Sequence, residues 1–190
     1  MHKPCMSYFP LWIFLQLNLA GNQLCGLDRY GRGTHTSEGI TAVANALRVN
    51  GSLTHVDVRN NQIAGDGASQ LSAAVLTNTN IEKFNKIPIK EMRADSLTEL
   101  DLQSKNIGVE GSMVVAGLVP VMGSVTKISL AANNLEEEGT KAICEALEGN
   151  ITLKELDLSG SRLHSNIGGA AGAKHVAKML GVTGSITSVR

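Results

Sequence analysis

Four segments of this chain share one spelling: "LTHVDVRNNQI" (53–63), "LTELDLQSKNI" (97–107), "VTKISLAANNL" (125–135) and "LKELDLSGSRL" (153–163). Each is apolar at its first, fourth, sixth and eleventh places, giving the pattern L-x-x-L-x-L-x-x-N-x-L. Leu97, Val125 and Leu153 follow at intervals of 28 residues, and Leu53 to Ile81 spans 28 again. A strand and a helix of this size cannot bury their apolar faces alone, so such a chain must stack unit on unit into one shared core.

A second ruler runs through the other half of each unit. From Gly39, Gly67, Gly111, Gly139 and Gly172, four residues bring Val43, Leu71, Val115, Ile143 and Val176, and four more bring Leu47, Val75, Val119, Leu147 and Leu180. That spacing is the buried stripe of a helix. Small residues beside it (Ala44, Ala116, Cys144, Ala177) allow close approach to a sheet. Asn50-Gly51, Asn78, Gly123 and Gly149-Asn150 are placed to leave each helix through left-handed backbone at low steric cost. The ninth-place Asn61 and Asn133 are suited to bonding backbone groups where the chain turns off the sheet. Lys105 and Ser161 hold that place in two units; Lys cannot accept such bonds, so the ladder is expected to break at 105.

Over about residues 12–190 these motifs resemble ribonuclease-inhibitor-like leucine-rich repeats, found also in intracellular receptors and in Ran GTPase-activating protein. The resemblance implies an α/β fold: a curved solenoid, or horseshoe, with a parallel sheet on the concave face and helices on the convex face. It implies a protein-binding, non-catalytic scaffold without a cofactor. It also permits GTPase activation of a Ran-like small GTPase, although that family's catalytic residues find no matched positions here. Ribonuclease inhibition is opposed by the lack of that family's cysteine richness and acidity.

Departures from the ruler are informative. Ile81 to Leu97 is 16 residues, twelve short of a full unit and about three helical turns. Pro88 lacks an N–H for a sheet ladder and biases Ile87 away from helical angles. The unit at 81–96 is therefore expected to keep its strand, lose its helix and kink or thin the array, with "IKEMRAD" as a connector. Insertions of eleven and five residues fall after two strands, in "CGLDRYGRGTHT" (25–36) and "HSNIGGAAG" (164–172). Both are expected on the strand-exit rim, where open parallel sheets tend to bind ligands. Five strands separate them, roughly 25 Å at about 4.8 Å per strand, a span suited to a protein rather than one small molecule.

With 17 basic and 17 acidic residues, no net field draws the chain to nucleic acid or an anionic membrane. No apolar run reaches the ~18 residues of a membrane span. Three cysteines without metal-like spacing point to a reducing, cytoplasmic setting. The opening residues loosely imitate a secretory signal, but Phe14, Leu17, Leu19, Asn22 and Leu24 already fit the repeat, so cleavage at Ala20 would cut a strand. "GLDRYGRGT" lacks the Lys and Ser/Thr of a phosphate loop; Cys25 and His35 could pair as nucleophile and base, but no oriented third group is evident and Cys25 reads as a neutral surface thiol.

Alternation along the strands puts their third, fifth and seventh places on the concave face. From these come the candidate partner-binding residues His55, Asp57, Arg59, Glu99, Asp101, Gln103, Lys127, Glu155 and Asp157, with Asn85 and Ile87 in the same columns of the short unit. Aromatics make up only 3% of the chain, so Tyr30, flanked by Arg29 and Arg32, is the exceptional candidate anchor. No metal set is evident. The whole chain, 1–190, is expected to be one domain of about six repeats. It lacks visible polar caps, and so reads as part of a longer array with frayed ends.

Overall fold

The computed structural model describes residues 15–28, 30–161 and 164–190. Strands and helices alternate: β1 (Leu15–Asn18), α1 (Glu38–Val49), β2 (Leu53–Asp57), α2 (Gly65–Thr77), β3 (Lys83–Phe84), β4 (Ile87–Pro88), α3 (Ile89–Arg93), β5 (Glu99–Asp101), α4 (Gly108–Leu118), β6 (Lys127–Ser129), α5 (Glu136–Leu147), β7 (Glu155–Asp157), α6 (Gly169–Leu180) and β8 (Ser188–Val189). A 3-10 turn, Val119–Val121, continues α4. The strands form two four-stranded sheets, β1-β2-β3-β4 and β5-β6-β7-β8, parallel except for the antiparallel β3–β4 pair.

Register follows the repeat. Leu100 pairs with Ile128 and Ile128 with Leu156, and all three are buried. The eleventh-place Ile63, Ile107 and Leu135 are buried as well. On the helices, Leu71, Val115 and Ile143, then Leu47, Val75, Val119 and Leu147, form the stripe facing this spine, with Ala44, Ala116 and Cys144 beside them. The stripe slips in α6: Met179 is buried, Leu180 is 46% exposed, and Ala177 is exposed. The insertion before α6 resets its phase, since Gly172 packs where a Cβ would lie 1.6 Å from the Ile167 carbonyl.

Helix exits differ from expectation. Only Gly149 (φ +80) is left-handed; Asn50 (φ −81) and Asn78 (φ −82) are extended. They work through their side chains. Asn50 Oδ1 accepts from Ser52 N and Leu53 N at 2.9 and 2.7 Å, and Asn150 Oδ1 from Thr152 N and Leu153 N at 3.0 and 2.8 Å. These are turn-forming bonds in which Asn substitutes for a backbone carbonyl.

The short unit retains one turn of helix, correcting the expectation that 81–96 has none. After Phe84 the left-handed pair Asn85 (φ 46) and Lys86 (φ 69) folds the chain back as a hairpin, and Pro88 sits on its outer strand. Asn85 and Ile87 are thereby buried and leave the concave face. The first sheet ends at this hairpin, and α2 packs directly on α4. Gly117 makes room for Leu76 in that contact, where a Cβ would stand 2.4 Å from its methyl. From α3, the Arg93 guanidinium donates to the carbonyls of Val75, Leu76 and Asn78 at 3.2, 3.1 and 3.2 Å, and to Ile81 O at 3.0 Å. A cation thus closes the exposed C-terminus of α2, where its charge also opposes the helix dipole. Arg93→Leu is expected to lower the unfolding free energy by about 1–2 kcal/mol in a denaturant titration. Arg93→Lys should restore only part of it, because one ammonium cannot reach so many acceptors.

No helix among the described residues is long and apolar enough to cross a membrane.

Candidate partner-binding surface

A row of buried amides fixes the strand exits. Asn61 Oδ1 accepts from Asn22 N and Leu24 N, and its Nδ2 donates to Leu19 O and Val58 O, all within 3.1 Å. Asn133 does the same for Lys105 N and Ile107 N (3.0 and 3.3 Å) and for Leu102 O and Ala131 O (2.7 and 3.1 Å). Where the ninth place holds Ser161, the inserted loop supplies Asn166, which accepts from Asn133 N at 2.8 Å and donates to Leu130 O and Leu158 O.

Where the short unit lacks a ninth place, Asn85 takes the post. Its Oδ1 accepts from Val58 N at 2.9 Å, and its Nδ2 donates to Ile107 O and to Glu110 Oε1 at 3.3 and 2.9 Å. The ladder is therefore carried past the position of Lys105, not broken there. Glu110, at 4% exposure on α4, is the buried acid that completes it. Burial pushes its carboxyl up to about 8, offset in part by its own backbone N–H and Asn85, and raised further by the Asp57 charge. Glu110 did not stand out from the sequence, and Asn85 was marked only as an Asn at the fifth place, where the "LDL" units carry Asp.

At the fifth place, Asp57, Asp101 and Asp157 turn each strand off the sheet: their Oδ1 atoms accept from Arg59 N, Gln103 N and Ser159 N at 3.2, 2.9 and 2.9 Å. Asp57 is also held by Arg59, Nε to Oδ1 at 2.8 Å and Nη2 to Oδ2 at 2.6 Å, which keeps its carboxyl below the usual range. The same guanidinium reaches over the break between the sheets to Lys105 O at 3.0 Å. Asp57 and Arg59 thus staple the two halves.

The other candidates fall into separate groups. Glu99, Asp101, Gln103, Lys127, Glu155 and Asp157 line one open depression of about 260 Å³ on the second sheet, with Ser188 and Arg190 at its end. Lys127 Nζ lies 3.4 Å from Glu155 Oε2; four carboxylates face two cations there. His55 belongs to a smaller hollow of about 120 Å³ with Lys83 and Lys90, and Lys90 pairs with Glu82 at 2.7 Å. Arg29 lies outside the described residues.

Tyr30 and Arg32 belong to a small closed loop. Asp28 Oδ1 accepts from Tyr30 N and Arg32 N (2.9 and 3.0 Å), its Oδ2 from Arg32 Nε at 2.8 Å, and Leu27 bridges Gly33. The Arg32 guanidinium stands 5.1 Å from the centre of the Tyr30 ring, which is 66% exposed. Gln62 Nε2 ties the loop to the next unit through Asp28 O. Cys25 at its base is buried, not a surface thiol, and burial, then Glu110, raises its pKa, the opposite of an activated nucleophile. Among the described residues no cluster of three or more His, Cys, Asp or Glu is arranged to hold a metal ion.

A leucine-rich-repeat family model matches residues 49–72 and 149–170. The chain is 22% identical over 175 residues to Protein CARMIL of Dictyostelium discoideum, covering 76% of this chain and 17% of that protein. It is 28% identical over 142 residues to the Ribonuclease inhibitor of Sus scrofa, covering 67% of this chain and 31% of that protein. These matches support a ribonuclease-inhibitor-like leucine-rich-repeat family for this chain. This repeat protein thus spans about a sixth and a third of the length of those two relatives. Its likeness to the solved tropomodulin C-terminal domain of Caenorhabditis elegans covers 89% of this chain and 83% of that one, at 15% identity and a TM-score of 0.34.

Proposed function

We propose that this repeat protein is a non-catalytic, cytoplasmic protein-binding module: a curved array whose partner lies against the concave face and the strand-exit rim. The observation that carries the reading is the depression on the second sheet, where six of the residues expected to bind come together around an excess of carboxylate. Long-range attraction and desolvated pairing both favour a partner with a basic patch there. The relatives support a binding role in kind, since one of them is named as an inhibitor of another protein.

The test uses Glu99→Lys with Glu155→Lys, two exposed side chains that take no part in the strand-exit ladder. Partners captured by the wild-type chain and identified by mass spectrometry should bind the double variant at least tenfold more weakly, with unfolding unchanged. Full retention of every partner would remove the concave face from the proposal. The alternative, activation of a Ran-like GTPase, would be promoted by faster GTP hydrolysis in the presence of purified chain.

A further inference from the structure

The missing rim of the short unit brings together residues 46 apart. Asn106 Nδ2 donates to Asn60 Oδ1, and Asn134 Nδ2 donates to Asn106 Oδ1 at 2.9 Å, so three carboxamides from three units stand in a row. All three have left-handed backbone (φ 61, 55 and 55), and Asn60 and Asn134 are exposed. A carboxamide has two N–H donors and an oxygen with two lone pairs. Among the bonds of the described residues, the row uses one N–H each of Asn106 and Asn134 and leaves the Asn60 amide and the Asn134 oxygen available.

These side chains line a cavity of about 690 Å³ with Leu27, Ile63 and Val109 as apolar walls and Tyr30 at its mouth. His35, Glu110 and Glu136 line it too, and among the described residues no Lys or Arg does. A row that offers N–H and C=O in alternation presents what the edge of a β-strand presents, and the complement is another main chain in extended conformation. The apolar walls suit one side chain of that segment, and the carboxylate of Glu136 suits a cation.

We propose that this rim cavity binds an extended peptide segment of a partner. The segment's main chain hydrogen-bonds to Asn60, Asn106 and Asn134, one apolar side chain packs on the apolar walls, and a Lys or Arg sits beside Glu136. The proposal rests on the protein-binding reading but uses a surface separate from the acidic depression, so the two can fail independently.

The experiment selects a phage-displayed library of random nine-residue peptides against the full chain and measures the enriched sequences as synthetic peptides by fluorescence anisotropy. Enriched peptides should share a cation and an apolar residue at a fixed spacing. Asn106→Gly with Asn134→Gly removes the amides while keeping a residue at ease in left-handed backbone, and should weaken binding at least tenfold. Glu136→Gln should weaken it severalfold and flatten its salt dependence. Glu99→Lys with Glu155→Lys should leave peptide binding as it was. No enrichment over a mock selection would overturn the proposal, as would affinities indifferent to the Asn106 and Asn134 changes or lost in the concave-face variant.

Discussion

Glu110→Gln should stabilise this protein strongly above neutral pH and hardly at all in acid. In the folded chain burial pushes the carboxyl up to about 8, whereas an unfolded glutamate titrates near the ordinary 4.5. Between those limits the folded state holds a proton that the unfolded state has released. Stability therefore falls as pH rises, by about 1.4 kcal/mol per unit for this group. Below 4.5 both states are protonated and the cost vanishes; above about 8 both are ionised and the cost is complete. Asp57 and the Cys25 thiol act on the same site: the aspartate charge raises Glu110, and Glu110 in turn raises the thiol. Glutamine keeps an oxygen for Asn85 Nδ2 without the titration. Urea unfolding should place the variant roughly 3–5 kcal/mol above the wild type at pH 9, with little difference at pH 4. A difference that does not change with pH would show that the carboxyl is not buried across the break between the sheets.

Asn133→Ala should be about as damaging in the opposite direction. The residue is fully buried, and its amide bonds two N–H groups and one carbonyl of the preceding unit and one carbonyl of its own. Alanine leaves the buried Ile107 N without its partner and strips one bond each from Lys105 N, Leu102 O and Ala131 O, which keep the backbone bonds Lys105 N to Leu102 O at 3.2 Å and Ser104 N to Ala131 O at 2.9 Å. One buried N–H left unsatisfied costs about 1–3 kcal/mol, and with the other lost bonds and the space left by the carboxamide the loss should total about 2–4 kcal/mol. Asn134→Gly, one residue along, exposed and in left-handed backbone that glycine adopts freely, is the control and should cost under about 1 kcal/mol. Equal, small losses at both positions in denaturant titrations would refute the role given to the amide row.

The apolar half of the architecture was legible because it is periodic. Leu100, Ile128 and Leu156 lie side by side in one register, as the 28-residue spacing of their units requires. The helix stripe holds from α1 to α5 for the same reason, and fails in α6 where an insertion shifts its phase. The polar half was less legible. Lys105 and Ser161 look like gaps in the Asn row, yet Asn85, Glu110 and Asn166 fill it from other sequence positions. The candidate binding residues divided similarly: Glu99, Lys127 and Glu155 share one hollow, while Asp57 and Arg59 proved to be a staple across the break.

By itself the sequence determined that apolar residues recur at the strand and helix periods, and hence that units must stack to bury them; burial depends only on which face a residue occupies. The tertiary structure alone decided which polar groups meet. A hydrogen bond needs its two atoms within about 3 Å, and such contacts join residues 22 to 46 apart only once the shortened unit and the inserted loops have set how neighbouring units fit together.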